Sequence, residues 1–405
     1  MENPKPGRLC RSPGISAYCD GKENTPMKLV YLDNAATTPC CPQALAAVNK
    51  ALDGPCGNPS SHYSVGYEAK QLVDTGRAQV AKALNADPGE IFFTGCGSEA
   101  DNWAVKGTAF KLAAQGKKHL ITSAFEHHAI LHSMAMLERI GFEVSYIKPD
   151  SEGYIHPEDV EAAIRPDTAL ISIMMANNEI GTIQPIKELA AVAHAHKIWF
   201  HTDAVQAVGA IPVDVKELGV DMLSLSGHKF NAPKGIGALY IRKGVHIAPL
   251  LYGGGQERGL RPGTEPLPNI AAFGTACRLR ESCIEQNAAR VSELADYLET
   301  QLAQRFPWAV QNGSPDLPYV RNYSFPGCKS EVLLRVLEMH EVYVSSGSAC
   351  NKGRASHVLA AMKLPHERID SALRISFSPS NTEADIDALL DAVAEGAQRL
   401  KRDET

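Results

Sequence analysis

Short apolar runs recur along most of this chain, each bounded by polar and small residues. Ile91-Phe92-Phe93, Leu120-Ile121-Thr122, Val144 to Ile147, Ala169 to Met175, Trp199-Phe200-His201, Met222 to Leu225 and Ala238 to Ile241 have the length and the β-branched or aromatic content of buried strands. Longer stretches between them bring apolar residues back every three or four positions, as from Glu99 to Ala113. From Ile186 to His196, after Pro185, such a pattern puts Leu189, Val192 and Ala193 on one face. Alternation of this kind predicts an α/β fold whose mostly parallel sheet is covered on both faces. A long helical pattern starts near Arg280, and Val332–Leu337 and Ile386–Leu400 continue it, so a smaller second domain is expected there. Residues 253–259, rich in glycine, read as a mobile loop. Residues 1–26 carry Pro4, Pro6, Pro13 and Pro26 without apolar periodicity or the core of a signal peptide. They read as a disordered extension, or as a start assigned upstream of a working Met27.

Composition narrows the class. A chain of 405 residues with 44% hydrophobic content can bury a large core in two lobes. Its net charge of -6 argues against binding nucleic acid by bulk electrostatics. No apolar run is long enough to span a bilayer. Ten cysteines without regular spacing read as free thiols in a reducing, cytoplasmic compartment.

Candidate chemistry gathers where the strand-like runs end. Ser226-Gly227-His228-Lys229 closes one run and leads into the small-residue segment Asn231 to Gly235. A lysine delivered there can bond covalently to an aldehyde cofactor, although by itself it reads equally well as a surface lysine beside a turn. Asp203 ends the preceding run, where it could hold the proton of a pyridinium ring or merely cap a helix. Two successive strands ending in Asp203 and Lys229 would bring both to one sheet edge, the edge at which open α/β sheets bind ligands. Thr94-Gly95-Cys96-Gly97-Ser98-Glu99 follows another run and opens a helical stretch, which makes an anion site from backbone N–H groups and the Ser98 hydroxyl. Neither a P-loop nor a Rossmann fingerprint is present. His127-His128 lacks the spacing of a zinc site, and no metal is expected.

Ordered landmarks across the chain make the pattern specific. From Met27 onward it resembles the cysteine desulfurases of the pyridoxal-phosphate-dependent class V aminotransferase family. The matching segments are Tyr31 to Pro39, Gly57-Asn58-Pro59-Ser60-Ser61, Glu126-His127, Asn177 to Gly181, the Asp203 and Lys229 segments, and Ser345 to Cys350. The resemblance implies a fold-type I pyridoxal-phosphate-dependent transferase: a large domain with a mostly parallel seven-stranded sheet, plus a smaller α/β C-terminal domain. Its expected division is an extension at 1–26, a segment at 27–40 joining the small domain, a cofactor-binding domain at 41–279, and a small domain at 280–405 carrying the catalytic cysteine loop.

Carried onto this sequence, the resemblance makes Lys229 the cofactor-bonding lysine, Asp203 the partner of the ring nitrogen, and His127 the imidazole stacked on the ring. Gly97, Ser98, Ser226 and His228 match phosphate-binding positions. Asn178 and Gln206 match contacts to the phenolic oxygen and ring face, while Arg374, with Asn34 and Asn178, matches the substrate-binding set. Thr264, in Arg261-Pro262-Gly263-Thr264, matches a residue that reaches the phosphate of a partner subunit, which implies a homodimer.

Sulfur transfer from L-cysteine needs a thiolate nucleophile, and the resemblance assigns Cys350 that role, giving a persulfide and L-alanine. Its polar flanks suggest a mobile loop, and Lys352 and Arg354 would favour the thiolate. For His127, an imidazole titrating near neutral pH fits proton shuttling. The tether from Cys350 to Ser356 is slightly shorter than in the best-known cluster-assembly relatives. A tRNA-thiolation protein is therefore an expected sulfur acceptor alongside a cluster scaffold. Selenocysteine lyase, or another sulfur-amino-acid lyase using the same cofactor, is the alternative reading.

Overall fold

The computed structural model describes residues 29–54, 56–347 and 355–403. Residues 1–26 and Cys350, on which two of the expectations fall, lie outside the described residues. All seven expected strands are present and form one sheet. They are β2 (Ile91–Thr94), β3 (His119–Ser123), β4 (Glu143–Ile147), β5 (Thr168–Ser172), β6 (Trp199–Asp203), β7 (Met222–Ser226) and β8 (Gly237–Ile241), β1 (Val30–Tyr31) lying in the other lobe. Their order is β2-β8-β7-β6-β5-β3-β4. Strand β8 pairs antiparallel with both β2 and β7, and the other pairings are parallel. The sheet is thus the expected mostly parallel one.

Two-residue periodicity divides the strand side chains between two cores. Phe93, Ile121, Ile171, Leu223 and Tyr240 pack on one face with the helices Ile186–Ala195 and Leu267–Glu281. Their chain neighbours Phe92, Leu120, Leu170, Met222 and Leu239 pack on the other with Trp103 and Ala104 of the helix Gly97–Ala113. Burial on both faces explains why these strands read as continuous apolar runs rather than alternating ones.

Two expectations are corrected. The run Ala169–Met175 pairs with β3 only as far as Ser172, because β3 ends at Ser123. Beyond it, Ile173 and Met175 donate only to β6, through His201 O at 3.1 Å and Asp203 O at 2.8 Å. The 253–259 segment is pinned. Glu257 accepts two hydrogen bonds of 2.7 Å from Arg77 and one of 3.0 Å from Phe93 N, and Arg258 stacks 3.9 Å over the Phe92 ring. Arg77 stands far away in sequence, so local composition could not show the pairing.

The second lobe holds an antiparallel sheet, β12-β10-β9, of β9 (Val310–Gln311), β10 (Val320–Ser324) and β12 (Ala372–Ser376). Leu294, Leu298, Phe325, Leu333, Leu337 and Leu389 form its core, and Val30 and Leu32 pack among them. Strand β1 pairs in parallel with β11 (Val342–Tyr343). The chain then crosses to the large sheet, where Thr38 N donates to His228 O at 2.8 Å. Among the described residues no helix is long and apolar enough to cross a membrane.

Candidate active site

Strands β2, β3, β5, β6 and β7 each lead, at their carboxyl ends, into a segment that reaches one cavity of about 220 Å³. Gly97, Ser98, His127, Asn178, Asp203, Gln206, Ser226, His228 and Lys229 line it from the large lobe, and Arg374 of β12 closes it from the small one. Residues far apart in sequence meet here because parallel strands all point their C-terminal ends the same way.

Lys229 ends a 3-10 turn, Gly227–Lys229, that follows β7 directly. A side chain on Gly227 would meet Phe273 at 2.8 Å, so glycine permits the turn. The Lys229 Nζ donates to Ala35 O at 2.5 Å and Ala36 O at 3.0 Å. Asp203 is the last residue of β6, and its Oδ1 accepts from Val205 N at 2.9 Å. Burial pushes its carboxyl up from the usual carboxylate range, against the Val205 hydrogen bond and the charge of Lys229.

His127 caps the helix His128–Arg139, its Nδ1 accepting from Ala129 N at 3.2 Å. That bond leaves the ring proton of the neutral form on Nε2. Burial, then the charge of Lys229, pulls His127 down to about 4. The imidazole is therefore neutral at physiological pH rather than titrating there, as the sequence had led us to expect.

The helix Gly97–Ala113 begins at Cys96 with no side-chain cap. A Cβ on Gly97 would sit 2.8 Å from Val205 Cγ2 and 3.1 Å from Ser226 Cβ, so only glycine allows the helix start this close to β7. Ser98 is exposed there, and the buried Ser226 Oγ has no hydrogen-bond partner. His228 Nδ1 lies 3.1 Å from Thr37 Oγ1, and burial, with the charges of Lys229 and Lys234, lowers its pKa to about 4. Gln206 Nε2 donates to Ala35 O at 3.0 Å.

Arg374 is 1% exposed. Its guanidinium donates to Asp33 Oδ1 at 2.6 Å and Asn178 O at 3.0 Å, while Nε has no partner. The unpartnered Ser226 Oγ and Arg374 Nε stand in one cavity with a carboxylate and an amine. That donor set fits a phosphorylated, aldehyde-bearing pyridine and an amino-acid carboxylate.

Two expected residues do not line this cavity. Asn34 donates to Ser376 O at 3.0 Å and faces an adjoining recess shared with Gln206 and Lys229. Thr264 is exposed, next to Glu265, which lines a separate surface recess. Both ends of the segment carrying Cys350 stand on the buried Glu179. Ser356 Oγ donates to Glu179 Oε2 at 2.5 Å, and a Cβ on Gly347 would lie 3.3 Å from the same oxygen.

Sequence reasoning missed Asp101, which lines the cavity, and Glu126, which supports it. An oxygen of Asp101, a nitrogen of His127 and an oxygen of Asp203 lie within 4.8 Å of one another, the one such group among the described residues. Asp101 stands four positions after Gly97, on the same helix face, a spacing that could have revealed it. Burial raises Glu126 to about 8 despite hydrogen bonds from Ser123 and Met174, so it is protonated at neutral pH.

A mostly parallel seven-stranded sheet with lysine and aspartate at its carboxyl edge, completed by a small α/β lobe, defines a fold-type I pyridoxal-phosphate-dependent transferase. The chain belongs to the aminotransferase class-V family, whose model matches residues 30–389. It is 47% identical over 388 residues to the cysteine desulfurase IscS of Methanosarcina thermophila, covering 95% of this chain and 96% of that protein. A solved NifS-like protein superposes with a TM-score of 0.86 at 37% identity, covering 91% of this chain and 99% of that one. A structure of SspA in complex with cysteine matches with a TM-score of 0.77 at 38% identity, over 87% and 99% of the two chains. Class-V aminotransferases and cysteine desulfurases depend on pyridoxal phosphate.

Proposed function

We propose that this protein is a pyridoxal-phosphate-dependent cysteine desulfurase that converts L-cysteine to L-alanine and carries the sulfur as a persulfide on Cys350. The observation that carries this reading is the convergence of Lys229, Asp203 and Arg374 on one cavity. Residues 41–279 form the cofactor-binding domain and 280–405 the smaller domain in this reading. The cofactor, bonded through its aldehyde to Lys229, would supply an electron sink for charge at the substrate α-carbon.

Asp203 would keep the proton on the ring nitrogen. His127 would face the ring, and Asn178 and Gln206 would serve its phenolic edge. Gly97, Ser98, Ser226 and His228 would hold the phosphate, with Thr264 contributed by a second copy in a homodimer. Arg374, fixed by Asp33 and the Asn178 carbonyl, holds the cysteine carboxylate, with Asn34 supporting that end. Lys229 Nζ would take up the substrate α-proton. The Cys350 thiolate then attacks the substrate sulfur, and protonation of the remaining carbon skeleton gives alanine. A protein acceptor, either a cluster scaffold or a tRNA-thiolation protein, takes the persulfide sulfur. A reducing, cytoplasmic compartment belongs to this reading, supported by ten cysteines without regular spacing.

Cys350→Ala should keep the visible absorbance of bound cofactor yet form no alanine from cysteine. Normal turnover with an acceptor thiol would refute the nucleophile. Lys229→Ala should lose both turnover and the absorbance of the covalently held cofactor, and an unchanged spectrum would point to a different lysine.

A further inference from the structure

Three carboxyl groups are buried in the cavity wall or just behind it, and the proposed chemistry uses only one of them. Asp203 is 5% exposed, Asp101 1%, and Glu126 is fully buried. Asp101 reaches the cavity wall from the helix Gly97–Ala113, and its Oδ1 has no hydrogen-bond partner. Carboxyl oxygens of Asp101 and Asp203 lie within 4.8 Å of each other. Two ionised carboxylates buried that close together repel strongly, and such pairs share a proton.

Surroundings decide which member keeps the charge. Asp203 has the Val205 N–H and the Lys229 charge on its side. Behind Asp101 stands a column of uncharged groups: Ser172 Oγ is 2.9 Å from His201 Nδ1, and His201 Nε2 is 2.9 Å from Ser224 Oγ. The Ser224 hydroxyl favours the ionised form of Asp101, and burial and the Asp203 charge outweigh it. His201 lies 3.9 Å from Asp101 but is fully buried, and its pKa falls to about 3, so it offers no positive charge. Burial and the neighbouring Asp203 both push the Asp101 carboxyl well above the usual range.

We propose that Asp101 is a positioning residue that works as a neutral carboxylic acid, keeping the proton of the pair and directing it at Asp203 so that the negative charge stays there. The proposal rests on the cavity being a pyridoxal-phosphate site. A desolvated carboxylate is a strong base, and left alone Asp203 would compete with the ring nitrogen for its proton. A hydrogen bond from Asp101 lowers that basicity, which keeps the ring protonated.

The test uses full-length wild type, Asp101→Asn and Asp101→Ala. Cofactor affinity is measured from the absorbance of bound pyridoxal phosphate, and protonated carboxyl groups from the infrared spectrum at neutral pH. Asparagine donates as the neutral acid does, so Asp101→Asn should hold the cofactor within about threefold of wild type, and Asp101→Ala about tenfold more weakly. Asp101→Asn should also lose one protonated-carboxyl band, leaving one that Glu126→Gln removes. If Asp101→Asn binds as weakly as Asp101→Ala, a charge is needed at that position and the proposal falls. It falls equally if Asp101→Ala binds like wild type or if Asp101→Asn loses no band. Failure of wild type to take up pyridoxal phosphate would instead defeat the functional reading, while the infrared bands would still judge Asp101.

Discussion

In the proposed reading Arg374 is a side chain prepared for an anion before any anion arrives. A guanidinium at 1% exposure is tolerable only because Asp33 and the Asn178 carbonyl orient it, and the unpartnered Nε still has a bond to make. Asp33→Asn should weaken that hold by about 1.5–3 kcal/mol, seen as a tenfold or larger loss in kcat/KM through KM, with the bound-cofactor spectrum unchanged. A change in spectrum without a change in KM would contradict this. Titrating groups nearby also set the pH response of the fold. Glu126, with a folded pKa of about 8 against an ordinary 4.5, binds its proton in the folded state over that interval, so stability falls as pH rises from 4.5 to 8. His201 and His127, lowered to about 3 and about 4, take up protons only on unfolding, so they weaken the fold as pH drops below 6.5. Glu126→Gln should flatten the loss on the alkaline side, where the wild-type slope is about 1.4 kcal/mol per pH unit at most; denaturant midpoints across that interval check it. Parallel curves for the two proteins would show that Glu126 does not titrate there.

Elements were legible where their packing is local, and less so where a distant partner decides. Strands β2, β3 and β5 to β8 showed in the sequence because burial on both faces demands unbroken apolar runs, while the edge strand β4 is largely uncovered. Lys229 and Asp203 were legible for a related reason, since each stands just where such a run stops. Asp101 was harder to see: its spacing from Gly97 marks the helix face, but its significance comes from β6 and β7 lying beneath that helix. The 253–259 segment failed in the same way: its glycines suggested freedom, and Glu257 removes it by closing on Arg77 from another part of the fold. With Glu257 side-chain exposure at 3% and Arg77 at 11%, Glu257→Ala would strand a buried charge and the Phe93 N–H. A loss of about 3–5 kcal/mol is expected from equilibrium denaturation. A loss below about 1 kcal/mol would mean the pair behaves like a surface ion pair.

At the scale of the whole molecule, the proposed site draws on both lobes and on a second chain. Arg374 comes from the small lobe, and Val30 and Leu32 join that lobe's core before the chain crosses to Lys229, so the lobes cannot separate without dismantling the cavity. In the proposed reading Thr264 serves the second chain's site; it is exposed and does not line the cavity of its own subunit. Around the adjacent surface recess, Tyr63 at 58% and Tyr67 at 63% exposure leave aromatic surface uncovered beside Gly255 to Arg258 and Glu265. Exposed aromatic surface on this scale is what an association face supplies. Tyr67→Asp puts a charge in that face without touching the cavity lining. Sedimentation should then show a dimeric wild type and a monomeric variant, and the monomer should bind pyridoxal phosphate about tenfold more weakly because the partner's hydroxyl is gone. A monomer with undiminished affinity would remove Thr264 from the phosphate site while leaving the dimer intact, and a monomeric wild type would remove both.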